Sequence, residues 1–122
     1  MRYQKQGSRF LDHEKTDHYY AEKILDDINR ILVYSRRANF VDPSTNEEAI
    51  DAIDFRMIYL REMFEGLSSD FLRDHPKIDW EGVVSFPNQL AHNYGAVDFV
   101  FYRRFIEKDL SEMKRQFEAY LS

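Results

Sequence analysis

Apolar residues recur every three or four positions along most of this chain, a spacing that places their side chains on one face of an α-helix. Only four glycines and three prolines interrupt the pattern, and no segment reads convincingly as a β-strand. We therefore predict an all-α protein. The apolar stripes are Tyr20, Ile24, Ile28, Ile31 and Ser35; Ala49, Ile53, Met57, Leu60, Phe64 and Leu67; and Phe101, Phe105, Leu110, Met113, Phe117 and Leu121.

Polar residues predict where the helices begin. Asp17 is expected to cap the first helix, and Ser44 with Glu47 fits a capping box at the start of the second. Asp79 is expected to cap a third helix, in which Pro87 removes a backbone hydrogen bond and predicts a kink. Four main helices joined by loops of a few residues favour an antiparallel up-and-down bundle.

The length of 122 residues fits one domain. Residues 1–16 are polar and aperiodic, so we expect an N-terminal extension there and the folded domain over residues 17–122. The absence of cysteine excludes disulfides and thiolate metal sites. No apolar run is long enough to span a membrane, and the first fifteen residues have no signal-peptide core, so a cytoplasmic protein is expected.

The net charge of −5 is unevenly distributed. Residues 38–81 carry eleven Asp and Glu against four Lys and Arg, whereas residues 1–37 carry eight basic against six acidic side chains. An acidic middle opposes nonspecific binding to nucleic-acid phosphates. Any contact with phosphate is therefore expected to be local, through Arg103, Arg104 or the basic residues near the N-terminus.

The segment Pro-Asn-Gln-Leu-Ala-His-Asn-Tyr at residues 87–94 concentrates the candidate chemistry. The imidazole of His92 can move protons near neutral pH, and Asn88, four residues earlier, lies on the same face of a helix. Tyr94 can donate a hydrogen bond or accept a covalent group. The other three histidines are interpreted as surface or turn residues, and four histidines without cysteine form no metal-ligand string. We expect neither a metal ion nor a cofactor.

Several segments from Asp17 to the C-terminus together resemble the HepT-like proteins of the HEPN superfamily. The resemblance rests on a first helix like residues 18–25, a second like residues 51–68, the turn His75-Pro76 followed by Trp80, and the string Asn-x-x-x-His-x-Tyr at Asn88, His92 and Tyr94.

The resemblance implies a homodimeric helical toxin that cleaves RNA without a metal ion and is neutralised by a minimal nucleotidyltransferase (MNT) partner. By the same resemblance, His92 is the catalytic acid–base, Asn88 the positioning group and Tyr94 a hydrogen-bond donor, in a cleft shared by two subunits. It also implies that the partner attaches AMP groups to Tyr94. Such a group would place bulk and negative charge where an RNA phosphate binds.

Three positions depart from the family's pattern. Pro87 stands where the signature has an arginine, Phe55 where the second helix usually has an arginine, and Arg61 where that helix usually has a glycine; the neighbouring Glu62 is kept. The missing signature arginine matters because a guanidinium binds a reacting phosphate with a bidentate fork.

The departures leave alternative functions open. The chain is either a ribonuclease, weakened unless Arg103, Arg104 or an arginine of a second subunit replaces the lost one, or a non-catalytic HEPN module that dimerises and binds a partner protein. A helical scaffold without any link to nucleic acid or nucleotides is a third interpretation.

Overall fold

The computed structural model describes residues 6–84 and 99–122, and within these two ranges every regular element is helical. The predicted all-α class is confirmed there. The elements are α1 (Gln6–Ser35), a 3₁₀ turn (Pro43–Asn46), α2 (Glu47–Glu65), α3 (Ser69–Asp74), α4 (Trp80–Val84), α5 (Phe99–Arg104), a π-helical turn (Phe105–Asp109) and α6 (Leu110–Leu121).

The first helix begins at Gln6, so the expectation that Asp17 is its N-cap is wrong. Asp17 instead lies in the middle of α1 and is buried. Its carboxylate accepts hydrogen bonds from the Ser68 backbone N–H at 2.8 Å and from the Ser68 hydroxyl at 2.7 Å. The Ser68 oxygen accepts in turn from the N–H of Phe71 at 3.0 Å. Asp17 therefore orients the residue that caps α3. The division into an extension over residues 1–16 and a domain over 17–122 stays a prediction.

The second helix is capped by Asn46, so the predicted capping box of Ser44 and Glu47 is also wrong. The Asn46 side chain accepts from the backbone N–H of Ala49 at 3.3 Å, while the Ser44 hydroxyl donates to Asp42 at 2.7 Å. The 3₁₀ turn that begins at Pro43 moves the helix start beyond Ser44. The apolar stripe of α2 is confirmed, since all six of its predicted residues are buried.

The core lies where α1 packs against α2 on one side and against α6 on the other. Ile24, Ile28 and Ile31 of α1 are fully buried. The rings of Phe64 and Phe117 meet edge to face, with centroids 5.8 Å apart, a favoured geometry for aromatic pairs. The helices thus bury the whole predicted stripe of α2 and most residues of the other two stripes, while Tyr20, Ser35 and Leu121 are only partly buried.

The π-helical turn explains an irregular step in the last stripe. Phe105 and Leu110 are five residues apart, and in an uninterrupted α-helix their side chains would point about 140° away from each other. In the structure the Leu110 N–H donates to the carbonyl oxygen of Phe105, five residues back. The wider turn brings both side chains into the core, where each is buried.

Two features of the predicted architecture stay predictions: the four-helix up-and-down topology and the homodimer. The third predicted helix, including the kink at Pro87, continues into residues 85–98, which lie outside the described ranges. Within those ranges, no helix is both long and apolar enough to cross a membrane.

Candidate functional site

The predicted site residues Asn88, His92 and Tyr94 lie outside the described residues, as does Pro87. What the structure shows is the frame to which their segment is attached. That frame consists of α4 before the segment and α5 after it.

The helix before the segment is fixed to the core. The Asp79 carboxylate accepts a hydrogen bond from the Gly82 N–H at 3.0 Å, which confirms Asp79 as the cap of α4. Val83 is fully buried, and α4 packs against α2. Trp80, at the start of α4, is by contrast 40% exposed.

The helix after the segment is also fixed to the core, next to Phe40 in the connection that follows α1. Tyr102 of α5 is fully buried, and its ring lies 5.8 Å from that of Phe40. Burial raises the pKa of the Tyr102 hydroxyl, and the nearby Asp54 carboxylate raises it further. Asp54 of α2 therefore lies close to α5.

The two arginines predicted as phosphate contacts are the last two residues of α5. Arg103 and Arg104 are both exposed. The Nε of Arg103 forms an ion pair with Glu107 at 3.2 Å, one helical turn later. Exposed pairs of this kind contribute little free energy, so Arg103 can exchange Glu107 for another anion at low cost.

A third basic group, Arg56, is held inside the structure by a carboxylate of α1. Arg56 Nη1 lies 3.2 Å from Oδ1 of Asp27, whose side chain is only 1% exposed. Burial raises the pKa of Asp27 to about 6, although the hydrogen bond and charge of Arg56 oppose that rise. The Arg56 guanidinium also lies over the rings of Phe55 and Tyr59, 5.7 and 5.8 Å from their centroids. These contacts give Arg56 a structural role.

A fourth arginine, Arg61, lies on the other side of α2. Arg61 is partly buried and its Nε is enclosed. It is seven residues, or two helical turns, beyond Asp54, so both side chains share one flank of the helix. In the sequence, Arg61 stands out only as a departure from a glycine of the family pattern.

The histidine before Pro76 has the turn role expected from the sequence. The Nδ1 of His75 lies 2.8 Å from the carbonyl oxygen of Phe71, and because a carbonyl only accepts, that nitrogen carries the proton. The imidazole stacks on the Phe71 ring at 4.1 Å and meets the edge of Tyr120 at 5.4 Å. Among the residues that the structure describes, no group of three His, Asp or Glu side chains is arranged to hold a metal ion.

Comparison with known proteins identifies the family. The family model described as Ribonuclease HepT-like matches residues 24–120. A protein of Methanocaldococcus jannaschii named "Putative RNase MJ1380" is 20% identical over 95 residues, which cover 78% of this chain and 87% of that protein. No solved structure gives a significant match. The family match spans α2 to α6 and the C-terminal part of α1, together with the Asn-x-x-x-His-x-Tyr string, and so this chain belongs to the HepT-like ribonuclease family.

Proposed function

We propose that this protein is an endoribonuclease, the toxin component of a toxin–antitoxin pair, and that it acts as a homodimer with His92 as its acid–base group. The observation that carries the proposal is the match to the ribonuclease family over residues 24–120, a range that contains Asn88, His92 and Tyr94 in the family's spacing. The described helices on both sides of that string are fixed to one core, which is the support that a precise site requires.

The proposed reaction uses the RNA's own 2′-hydroxyl as the nucleophile. A neutral imidazole of His92 removes the hydroxyl proton, the 2′-oxygen attacks the adjacent phosphorus, and the bond from phosphorus to the 5′-oxygen breaks. A protonated imidazole delivers a proton to that leaving oxygen, and the products are a 2′,3′-cyclic phosphate and a free 5′-hydroxyl. Acid–base help of this kind contributes about 10²–10⁴-fold. In this proposal Asn88 positions the imidazole and Tyr94 donates a hydrogen bond.

The direct test is RNA cleavage by the purified protein in the presence of a chelator. We expect 2′,3′-cyclic phosphate ends, and a loss of about 10²–10⁴-fold in rate for His92→Ala. The matched control is His18→Ala, because His18 is 55% exposed and paired only loosely with Glu22 at 3.6 Å. Equal cleavage by wild type and His92→Ala would remove His92 from the mechanism.

The toxin role and the partner are tested by expression in cells. Growth arrest that requires His92, and relief of that arrest by a co-expressed MNT-type nucleotidyltransferase, are the expected results. If AMP transfer to Tyr94 is the neutralising step, incubation with that partner and ATP increases the intact mass by one or more AMP units in wild type. The increase should be absent from Tyr94→Phe.

The second candidate function is a non-catalytic module that dimerises and binds a partner protein. The observation that favours it is Pro87, which cannot supply the charge of the family's arginine. Under this alternative the protein cleaves no RNA, while its dimer and its complex with the partner persist.

A further inference from the structure

An open groove of about 450 Å³ lies where the C-terminal end of α1 packs against α6, and we call it the α1–α6 groove. Its basic side chains are Arg36, directly after α1, and Lys114 and Arg115 of α6. Its acidic side chains are Glu107 of the π-helical turn and Glu118 of α6. These charges come from segments that are far apart in the sequence, so the packing of the helices brings them together.

Two of the cations in the α1–α6 groove are available to a ligand. Within residues 6–84 and 99–122, neither Arg36 nor Lys114 forms an ion pair or a side-chain hydrogen bond. Arg36 is exposed, and Lys114 is partly buried. Arg115, by contrast, is already paired with Glu112 at 3.2 Å. Arg36 and Lys114 can therefore bind an anion without first breaking another contact.

A third cation reaches the α1–α6 groove from α5. The Nε of Arg103 lies 3.2 Å from Oε2 of Glu107, which lines the groove. The two side chains are 56% and 53% exposed, and an exposed ion pair of this kind contributes little free energy. An anion that enters the groove can therefore replace Glu107 as the partner of Arg103, while Glu107 turns towards water.

The local balance of charge differs from that of the whole chain, which carries a net charge of −5. Around the groove, Arg36, Arg103 and Lys114 face two carboxylates, those of Glu107 and Glu118, since Arg115 is neutralised by Glu112. A concave surface concentrates the electrostatic potential of the charges that line it. The groove therefore attracts anions, which the acidic remainder of the chain repels.

The shape of the groove favours a polymer over a small anion. A site for a small ligand usually encloses most of that ligand's surface, whereas this groove is open along the boundary of two helices. Positively charged grooves of this kind follow the backbone of single-stranded nucleic acids.

We infer that the α1–α6 groove binds the phosphate backbone of RNA through Arg36, Lys114 and Arg103. This inference rests on the proposed function, because it takes the RNA substrate of that function as the ligand. The groove is separate from the residues proposed for catalysis, and it supplies affinity without moving a proton. Since contacts with phosphate carry no sequence information, the groove holds RNA of any sequence.

The test measures the affinity of the full chain for a 2′-O-methyl RNA oligonucleotide, which lacks the nucleophile, at a series of salt concentrations. The variants are the double substitution Arg36→Ala/Lys114→Ala and the single substitution Glu118→Gln. Their matched controls remove the same charges from exposed residues that do not line the groove: Arg73→Ala/Lys77→Ala and Glu65→Gln.

We expect the double variant to bind RNA about tenfold more weakly than wild type, since two exposed ion pairs with phosphate are lost. The slope of log affinity against log salt should become shallower by about 1.4, because each contact with a single-strand phosphate contributes about 0.7. Glu118→Gln should bind more tightly, because a carboxylate that repels phosphate is gone, and misfolding cannot produce such a gain. The two controls should bind as wild type does.

Three results would overturn the inference. The first is a loss of affinity in the double variant no larger than that of its control. The second is the absence of a gain in Glu118→Gln. The third is equal affinity for a polyglutamate peptide of the same net charge as the RNA, which would assign the groove to an acidic protein surface.

The same measurements separate this inference from the proposed function. If wild type cleaves RNA and His92→Ala does not, but the groove variants bind the analogue as wild type does, the inference is overturned and the proposed function stands. If the groove variants change affinity as expected but wild type cleaves no RNA, the proposed ribonuclease activity falls, while the groove remains an RNA-binding site.

Discussion

Each of two flanks of α2 has an arginine and a buried carboxylate, which is Asp27 of α1 on one flank and Asp54 of α2 itself on the other. The surroundings of the two arginines nevertheless differ. On the flank that faces α1, Arg56 is held by Asp27 and covered by two aromatic rings. On the opposite flank, Asp54 lies near α5 and Arg61 is partly buried. The difference teaches that two arginines five residues apart on one helix need not share a role. We assign the larger contribution to stability to the flank facing α1.

The largest effect on stability is expected for Arg56→Ala. Removing the guanidinium leaves the buried Asp27 without its counter-charge, and breaking a buried pair in this way costs about 3 kcal/mol. Urea denaturation at neutral pH measures the change, and Arg61→Ala is the comparison, with a much smaller expected loss. If Arg61→Ala is the more destabilising of the two, the flank facing α1 does not make the larger contribution to stability.

A smaller loss is expected for Gly66→Ala, at the residue that follows α2. The Tyr20 ring of α1 occupies the space that a Cβ at Gly66 would need. Alanine would ordinarily stabilise this position, because the backbone there is helical with φ −79°. We expect instead a destabilisation of about 1–2 kcal/mol from overpacking, measured against the exposed control Glu65→Ala. A stabilised Gly66→Ala protein would mean that α1 and α2 pack loosely at this end.

The smallest effect is a dependence of stability on pH that should disappear in Asp27→Asn. The pKa of Asp27 is raised from 3.8 to about 6 in the folded protein, so the folded state binds this proton more tightly than the unfolded chain does. The resulting stabilisation is complete below pH 3.8 and is lost as the pH rises through about 6.

The measurement compares wild type with Asp27→Asn by urea denaturation at pH 4.5 and pH 7.5. Relative to the variant, wild type should lose on the order of 1 kcal/mol between the lower and the higher pH. Parallel pH profiles for the two proteins would show that burial does not perturb Asp27, and they would weaken the electrostatic contrast between the flanks.

The sequence predicts the helical class and the apolar stripes well, because burial repeats with the helical period and that period is visible in one dimension. The stripe of α2 is buried throughout, and the cap at Asp79 is confirmed. The predictions fail at helix starts. Asp17 looks like a cap because Asp is common at caps, but a polar stretch without an apolar stripe continues the helix back to Gln6.

The candidate site, like the fold, could be predicted from the sequence only in part. The string Asn88, His92 and Tyr94 is visible in the sequence as a motif, and its assignment to catalysis stays a proposal. The different surroundings of Arg56 and Arg61 could not be predicted, because an arginine in a helix is ordinary until the residues packed around it are known. The π-helical turn at Phe105 is an intermediate case. The sequence shows the five-residue spacing from Phe105 to Leu110, but only the structure shows that a wider helical turn brings both side chains into the core.

The order of residues in this chain was enough to give its helical class, its apolar faces and its family. All of these depend on local spacing, which a linear sequence records directly. The partners of the buried charges were decided only when the helices packed. Asp17 binds Ser68, 51 residues away, and Asp27 binds Arg56, 29 residues away. Local spacing contains no information about such pairs, because a carboxylate that leaves water takes whatever donor the neighbouring helix presents.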